Sequence, residues 1–407
     1  MTLLERFLKY ISIDTKSDPS KKTTPSTKGQ LELAKVLVKE LNDLNADDIY
    51  FDENNCYVYA KIKGNDELPK IGFISHLDTS PDASGKDIEP RIINNYNGKN
   101  IKLNSNIKLK VNDNKDLKNH VGKTLITTRG DTLLGADDKA GVAEIMQMIE
   151  TIKNTEINHG DIYVCFTPDE EIGNGTLNLD YEKFSPDFAY TVDGSTVGEL
   201  SYENFNAATV KIDIKGINTH TGTAKGKMIN AIQLATMINS LLPNERPENT
   251  EGYEGFYHLQ DLSGDVSKAH MKYLIRDFDQ DNFAKRKLIL HEIIKRLNKK
   301  YNDCIEMNIK DTYYNMGNVI SKNSDVITET KRAIKDCGIE PLIKPIRGGT
   351  DGARITQNGI LCPNIGTGGH NFHSIYEYVT LEDMEKSVEI LVSIIKRFSN
   401  SKEKTIN

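Results

Sequence analysis

The sequence predicts an α/β protein whose main domain is interrupted by a smaller α+β domain. Three observations carry that prediction. Over residues 1–205, apolar strand-like segments alternate with helix-like ones, the pattern of a sheet covered on both faces. From residue 206 the pattern changes to longer strands of period two, separated by two helices. After residue 320 the first pattern resumes. The expected plan is one domain in two pieces, 1–205 and 321–407, around an insert at 206–320. An insert of about one hundred residues is a typical small-domain size. A chain of 407 residues is also long for one hydrophobic core.

The elements follow in order. Leu3, Leu4, Phe7, Leu8 and Ile11 recur at helical spacing, as do Leu33, Leu37, Leu41 and Leu44 in a second helix over 28–44. CYVYAKI and IGFISHLD read as strands, and GVAEIMQMIETI as a helix entered from a glycine-rich turn. DIYVCFTPDEE and FAYTVDG are strands that end in acidic residues. In the insert, ATVKIDIKG alternates as a half-buried strand does, and NAIQLATMINSLL is helical. LLPNERPENTEGYEG is its long loop, KYLIRDFD a strand, KRKLILHEIIKRL a helix and CIEMNIKDTYY another strand. SDVITETKRAIKDCG is a helix, and Thr380 with Asp383 caps a final helix through Ile395. The tail SNSKEKTIN is expected to fray.

Composition narrows the function. A chain with 37% hydrophobic and 27% charged residues is a soluble globular protein rather than a disordered one. With 52 basic and 59 acidic side chains the net charge is −7, the wrong sign for a phosphate-binding surface, so no nucleic-acid partner is expected. The five cysteines are scattered, odd in number and free of any CxxC pair, which argues against a disulfide framework and a cysteine zinc site. Glu5, Arg6 and Lys9 break the apolar start, so it lacks the core of a signal peptide. No apolar run reaches membrane-spanning length. A reducing cytoplasm is the expected location, with no membrane partner.

The chemistry-bearing residues fall at predicted strand ends, where open α/β sheets bind ligands. In IGFISHLDTS, His76 and Asp78 face the same side of an extended segment. One ring nitrogen of His76 can bind a metal while Asp78 holds the other; alone, such a pair is far more often a surface histidine in a loop. In LLGADDKAGVAE two aspartates precede a helix, which caps it or supplies a carboxylate bridging two cations. In FTPDEEIGNG, Glu170 and Glu171 point in different directions, so one can bind metal and the other act as a general base. Three carboxylates directly after an apolar strand would repel unless a cation or shared protons compensate. YTVDG adds Asp193, and TGGHNFHS adds His370 and His373. Zinc accepts such nitrogen and oxygen ligands without cysteine.

The motifs SHLDTSPD, LLGADDKAG, FTPDEE, YTVDG, NTHTGTAKG, YEGFYHL, YLIRDFD, YYNM, PIRGGTDG and TGGHNFH run in order over nearly the whole chain. Together they resemble the M20 family of di-zinc metallopeptidases, and within it the tripeptide aminopeptidases. The resemblance implies a discontinuous zinc-peptidase catalytic domain with an inserted lid or dimerisation domain. It implies that His76, Asp193 and a bridging Asp137 hold one zinc, and that Asp137, Glu171 and His373 hold the other. Asp78 would support His76, and Glu170 would be the general base for a water activated by two zinc ions per subunit. Asp137 rather than Asp138 matches the family's Asp-x-Lys-Gly, which here ends in Ala140. His220 would stabilise the oxyanion, although Thr221 follows it where the family often has proline. Arg276 and Arg347 match basic positions that can grip a substrate carboxylate. Each is also an ordinary candidate for a structural ion pair. His370 matches no ligand position.

The implied activity is release of the N-terminal residue from tripeptides, with cobalt or manganese able to share the zinc ligands. Small peptides are the expected partners, and the inserted domain is a candidate homodimer contact. Dipeptidases, carboxypeptidases and N-acyl amino acid deacylases of the same family remain open alternatives. A two-metal phosphoesterase is disfavoured by the acidic balance and the lack of a glycine-rich phosphate loop. A binding protein on an inherited scaffold should have lost the base or a ligand, and none is lost here.

Overall fold

The computed structural model describes residues 1–322 and 324–399; from residue 400 onward, the tail expected to fray lies outside them. The chain divides into two compact units. The first comprises Met1–Tyr202, Val319–Lys344 and Thr350–Asn407, and the second Glu203–Asn318 and Pro345–Gly349.

The first unit bears out the α/β prediction. Its main sheet runs in the order Asp47–Asp52, Tyr57–Ile62, Ile162–Thr167, Ile71–His76, Phe188–Gly194, Asn364–Gly366, Glu199–Ser201 and Leu342–Ile343. At its centre, Ile71–His76 pairs in parallel with Ile162–Thr167 on one side and Phe188–Gly194 on the other. Ile71–His76 and Ile162–Thr167 are buried along their whole length, which is why they read as continuous apolar runs rather than alternating ones. Being parallel, the three strands deliver their carboxyl ends to one edge of the sheet, where open α/β sheets place their ligands. The helix Ala136–Lys153 is nearly all buried. It packs so closely that a side chain on Gly141 would stand 2.0 Å from the Val192 carbonyl oxygen. Glycine there lets the helix start approach the end of Phe188–Gly194.

Three features of this unit were not anticipated. Asp47–Asp52 is an edge strand, half exposed along its length, so it lacks an apolar signal. A smaller antiparallel sheet joins Gly369–His370, Tyr378–Thr380, Leu125–Thr127 and Arg91–Ile93. Its strands have three residues or fewer, too few to show a period. The first helix, Leu3–Ile11, buries Arg6 and Tyr10 beside Leu3, Phe7 and Ile11, while Leu4 and Leu8 are half-buried. Glu40 compensates by accepting from the Arg6 guanidinium and, at 2.8 Å, from the Tyr10 hydroxyl.

The second unit is an antiparallel sheet in the order Phe256–Gly264, Lys268–Asp277, Asn206–Lys215 and Ile305–Tyr313. Its core joins Val210, Ile212, Met271 and Tyr273 to Leu234 and Ile238 of the helix Ala231–Leu241 and to Leu290 and Ile294 of Gln280–Tyr301. The edge strand Phe256–Gly264 has five exposed residues at its end and escaped the sequence reading for that reason. All five cysteines are free thiols. Among the described residues, no helix is long and apolar enough to cross a membrane.

Candidate metal centre

His76 ends its strand at the sheet edge. Asp138 pins that end, its Oδ2 accepting from the Ser75 hydroxyl and, at 3.1 Å, from the His76 N–H. Asp138 is thereby turned toward the strand backbone, while Asp137 is left to face the site. Both aspartates have non-helical backbone angles, and the peptide between them is cis. The helix proper therefore begins after them, as the sequence suggested.

Asp137 stands between two histidines. Its Oδ1 lies 3.0 Å from His76 Nε2 and its Oδ2 lies 3.2 Å from His373 Nε2. Asp193 Oδ1 is 3.5 Å from His76 Nε2, and Glu171 Oε2 is 2.9 Å from His373 Nε2. Two groups of converging donors result, His76–Asp137–Asp193 and Asp137–Glu171–His373, each with its ligand atoms within 4.8 Å of one another. Glu171 Oε1 is buried and has no hydrogen-bond partner, which is costly unless a cation takes it up. The donor set, imidazole and carboxylate without thiol, suits zinc and its first-row neighbours.

The outer nitrogens of both rings also face oxygen. His76 Nδ1 lies 3.0 Å from the Asp78 carbonyl oxygen and 3.3 Å from Asp78 Oδ1. His373 Nδ1 lies 3.2 Å from Asp82 Oδ2. Such partners orient a metal-binding imidazole. His76 is 2% exposed and the His373 side chain 42%, so the cluster opens to solvent on the His373 side.

The electrostatics match a cation site. Burial and the Asp137 charge push Glu171 up to about 8, and burial pushes Asp193 up to about 6. Burial, with Asp193, Asp351 and Glu171 nearby, holds Glu170 well above the usual carboxylate range. His373 is raised to about 11 by its hydrogen bonds to Asp137 and Glu171. Burial opposes a charged His76, yet Asp193 and Asp137 raise it well above its ordinary value. Crowded carboxylates thus draw positive charge to this place, and a divalent cation supplies it in concentrated form.

Glu170 and Glu171 sit in a short turn after the strand Ile162–Thr167. Their backbone N–H groups donate to Asp78 Oδ1 and Oδ2 at 2.9 and 3.2 Å. From the other side, Gln30 grips Asp169, which has a left-handed φ of 53°. The Gln30 amide nitrogen donates to Asp169 Oδ1 at 2.7 Å, and its oxygen accepts from the Asp169 N–H at 3.0 Å. The Glu170 carboxylate makes no hydrogen bond among the described residues, which leaves it free to handle a proton.

The pattern of the peptidase family M20/M25/M40 matches residues 128–397. The chain belongs to this family. Among M20 relatives, Peptidase T of Clostridium perfringens is 52% identical over 400 residues, covering 97% of this chain and 98% of that protein. Peptidase T of Bacillus subtilis is 49% identical over 403 residues, again covering 97% and 98%. The fold is shared with the aminopeptidase PepT from Bacillus cereus, with a TM-score of 0.79 at 23% identity and 98% of each chain covered. It is shared too with a dinuclear metal-binding M20 peptidase from Bacillus subtilis, with a TM-score of 0.68 at 14% identity and 98% of each chain covered.

The remaining candidates in this M20 chain are His370, in the first unit, and three residues of the second. His370 is buried, stacks on Tyr378 at 4.9 Å between ring centroids and meets His120 edge-on at 5.0 Å. Burial and the neighbouring His120 push its pKa down to about 4, so it packs as a neutral ring. In the second unit, His220 is exposed, and its Nδ1 accepts from the Gly222 N–H at 3.2 Å. Thr221 opens a short helical turn there. Arg276 donates to the Arg347 carbonyl oxygen at 3.2 Å, and its buried Nε has no partner. Arg347 donates to the carbonyl oxygens of Gly252, Glu254 and Thr250 and lies over the rings of Phe205 and Phe256.

Sequence reading missed Asp138, Asp82 and Gln30 as supports of the site, and Glu377, whose carboxylate accepts the Asp137 N–H at 3.0 Å. Asp82 closes the motif SHLDTSPD, so its place near Asp78 was a usable signal. Glu377 was visible only as one acid between two tyrosines.

Proposed function

We propose that this chain is a metal-dependent aminopeptidase that releases the N-terminal residue of tripeptides. The observation that carries it is the placement of Asp137, with one carboxylate oxygen against His76 and the other against His373. In this reading His76, Asp137 and Asp193 hold one cation, and Asp137, Glu171 and His373 hold a second. The cations are two zinc ions per subunit, with cobalt or manganese as substitutes. Bound there, they would polarise the scissile carbonyl and bring the pKa of water toward neutrality.

The chain's own residues do the rest. Glu170 takes the proton of the attacking water and returns it to the leaving amine. Asp78 holds the backbone of Glu170 and Glu171, so base and ligand keep a fixed spacing. His220, a residue of the second unit, is the candidate oxyanion donor that the family resemblance implies. Arg276, also of the second unit, is a candidate grip for a substrate carboxylate. Arg347 would join it only by giving up contacts to Thr250, Gly252 and Glu254.

The tripeptide substrate rests on the Peptidase T relatives, with which the chain shares about half its residues. The test is metal content, together with hydrolysis of di-, tri- and tetrapeptides, free and N-blocked, before and after chelation. Free tripeptides should lose their first residue, chelation should stop the reaction, and zinc should restore it. Preference for N-acetylated peptides would make it a deacylase, and release from the carboxyl end a carboxypeptidase. Activity that survives complete metal removal would end the metal reading.

A further inference from the structure

Glu377 is 1% exposed and lies between His373 and the strand Tyr378–Thr380. Its carboxylate accepts three backbone N–H groups, from Leu134 at 2.6 Å, Gly135 at 2.8 Å and Asp137 at 3.0 Å. These donors belong to the turn that opens the helix Ala136–Lys153, where Gly135 has a left-handed φ of 82°. The first N–H groups of a helix have no acceptor within it, and a buried turn must find one elsewhere. A carboxylate at the positive end of the helix meets that need. Both oxygens of Glu377 are taken by amides, so it serves the cluster without being one of the ligating groups.

We propose that Glu377 is a positioning residue that seats Asp137 against both histidines, and so sets the affinity of the centre for its cations. The hydrogen bond to the Asp137 N–H fixes the backbone from which the Asp137 carboxylate reaches toward His76 and His373. Glu377 also follows His373 by four residues in the same segment. One stretch of chain therefore carries a ligand and the clamp for another, and displacing either one disturbs both. This inference rests on the reading of Asp137 as a bridging ligand.

Three variants of the full chain test it: Glu377→Gln, Glu377→Asp and Asp137→Ala. Circular dichroism checks the fold, competition with a chromophoric chelator measures zinc affinity, and kcat and KM are measured at limiting and at saturating zinc. Glu377→Gln turns one amide donor toward the turn's N–H groups, so zinc affinity should fall about 10–100-fold. Its kcat should recover with excess zinc, and its KM should stay unchanged, because Glu377 touches no substrate. Glu377→Asp, which keeps the charge at shorter reach, should fall between wild type and Glu377→Gln. A folded Glu377→Gln that binds zinc like wild type overturns the proposal, as does a Glu377→Gln that fails to fold, which would make Glu377 a fold residue. If Asp137→Ala keeps both metals, the bridging reading itself fails. If Asp137→Ala loses metal while Glu377→Gln does not, only the positioning role falls.

Discussion

The backbone N–H of Glu170 donates to Asp78 Oδ1 across 2.9 Å. The same carboxylate takes the Glu171 N–H on its other oxygen and approaches His76 Nδ1 at 3.3 Å. One buried acid therefore links the end of one strand to the turn that follows its neighbour.

That link makes Asp78→Asn informative. The amide keeps one acceptor but sets an NH2 group against an N–H donor or the imidazole. Outer partners of a metal site cost about 10–100-fold in activity or affinity when changed. The expected result is a kcat loss of that size, with KM changed less. Unaltered kcat and metal content would remove Asp78 from any supporting role.

Glu170→Gln separates proton transfer from metal binding. The glutamine is the same size, and the backbone N–H that Asp78 holds is untouched. Metal content should match wild type, while kcat falls by about 10²–10⁴-fold, the usual worth of a general base. A fully active Glu170→Gln would show that the base is another group.

Asp383→Asn addresses stability and its pH dependence. The Asp383 carboxylate accepts from Lys123 Nζ at 2.5 Å and from the Thr380 hydroxyl at 2.6 Å, and lies 3.1 Å from His120 Nδ1. Burial would raise its pKa, but these partners hold it well below the usual range. A depressed folded pKa means the stabilisation is full above the unfolded value of about 3.9 and is lost as pH falls through the folded value. Asp383→Asn should cost about 1.5–3 kcal/mol near neutrality and flatten the acid limb of the stability curve. Denaturant titrations from neutral to acid pH check this, and a variant as acid-sensitive as wild type would refute it.

The strand ends were legible because buried parallel strands need apolar runs, and the polar residues that stop those runs stand out. His76, Glu171 and Asp193 all stand at such stops. The choice between Asp137 and Asp138 was not legible from local pattern. It depends on Ser75 and His76 drawing Asp138 aside, contacts made across about sixty residues of chain. Glu377 was hidden for a related reason. Its partners are 240 or more residues away, and its own neighbourhood is a strand of only three residues. The half-exposed edge strand Asp47–Asp52 carried no apolar signal to read.

The interruption of the first unit has a consequence for how the centre is made. His76, Asp137 and Asp193 all lie before the interruption, and His373 lies after it. On the ribosome, one trio of donors is in hand when Asp193 emerges, while the other waits about 180 residues more, roughly 10–40 s at bacterial-to-eukaryotic elongation rates. Vectorial synthesis thus imposes an order of completion on two otherwise adjoining halves: the exposed half is the last to be finished, and the clamp Glu377, which holds the Asp137 that both halves share, arrives with it.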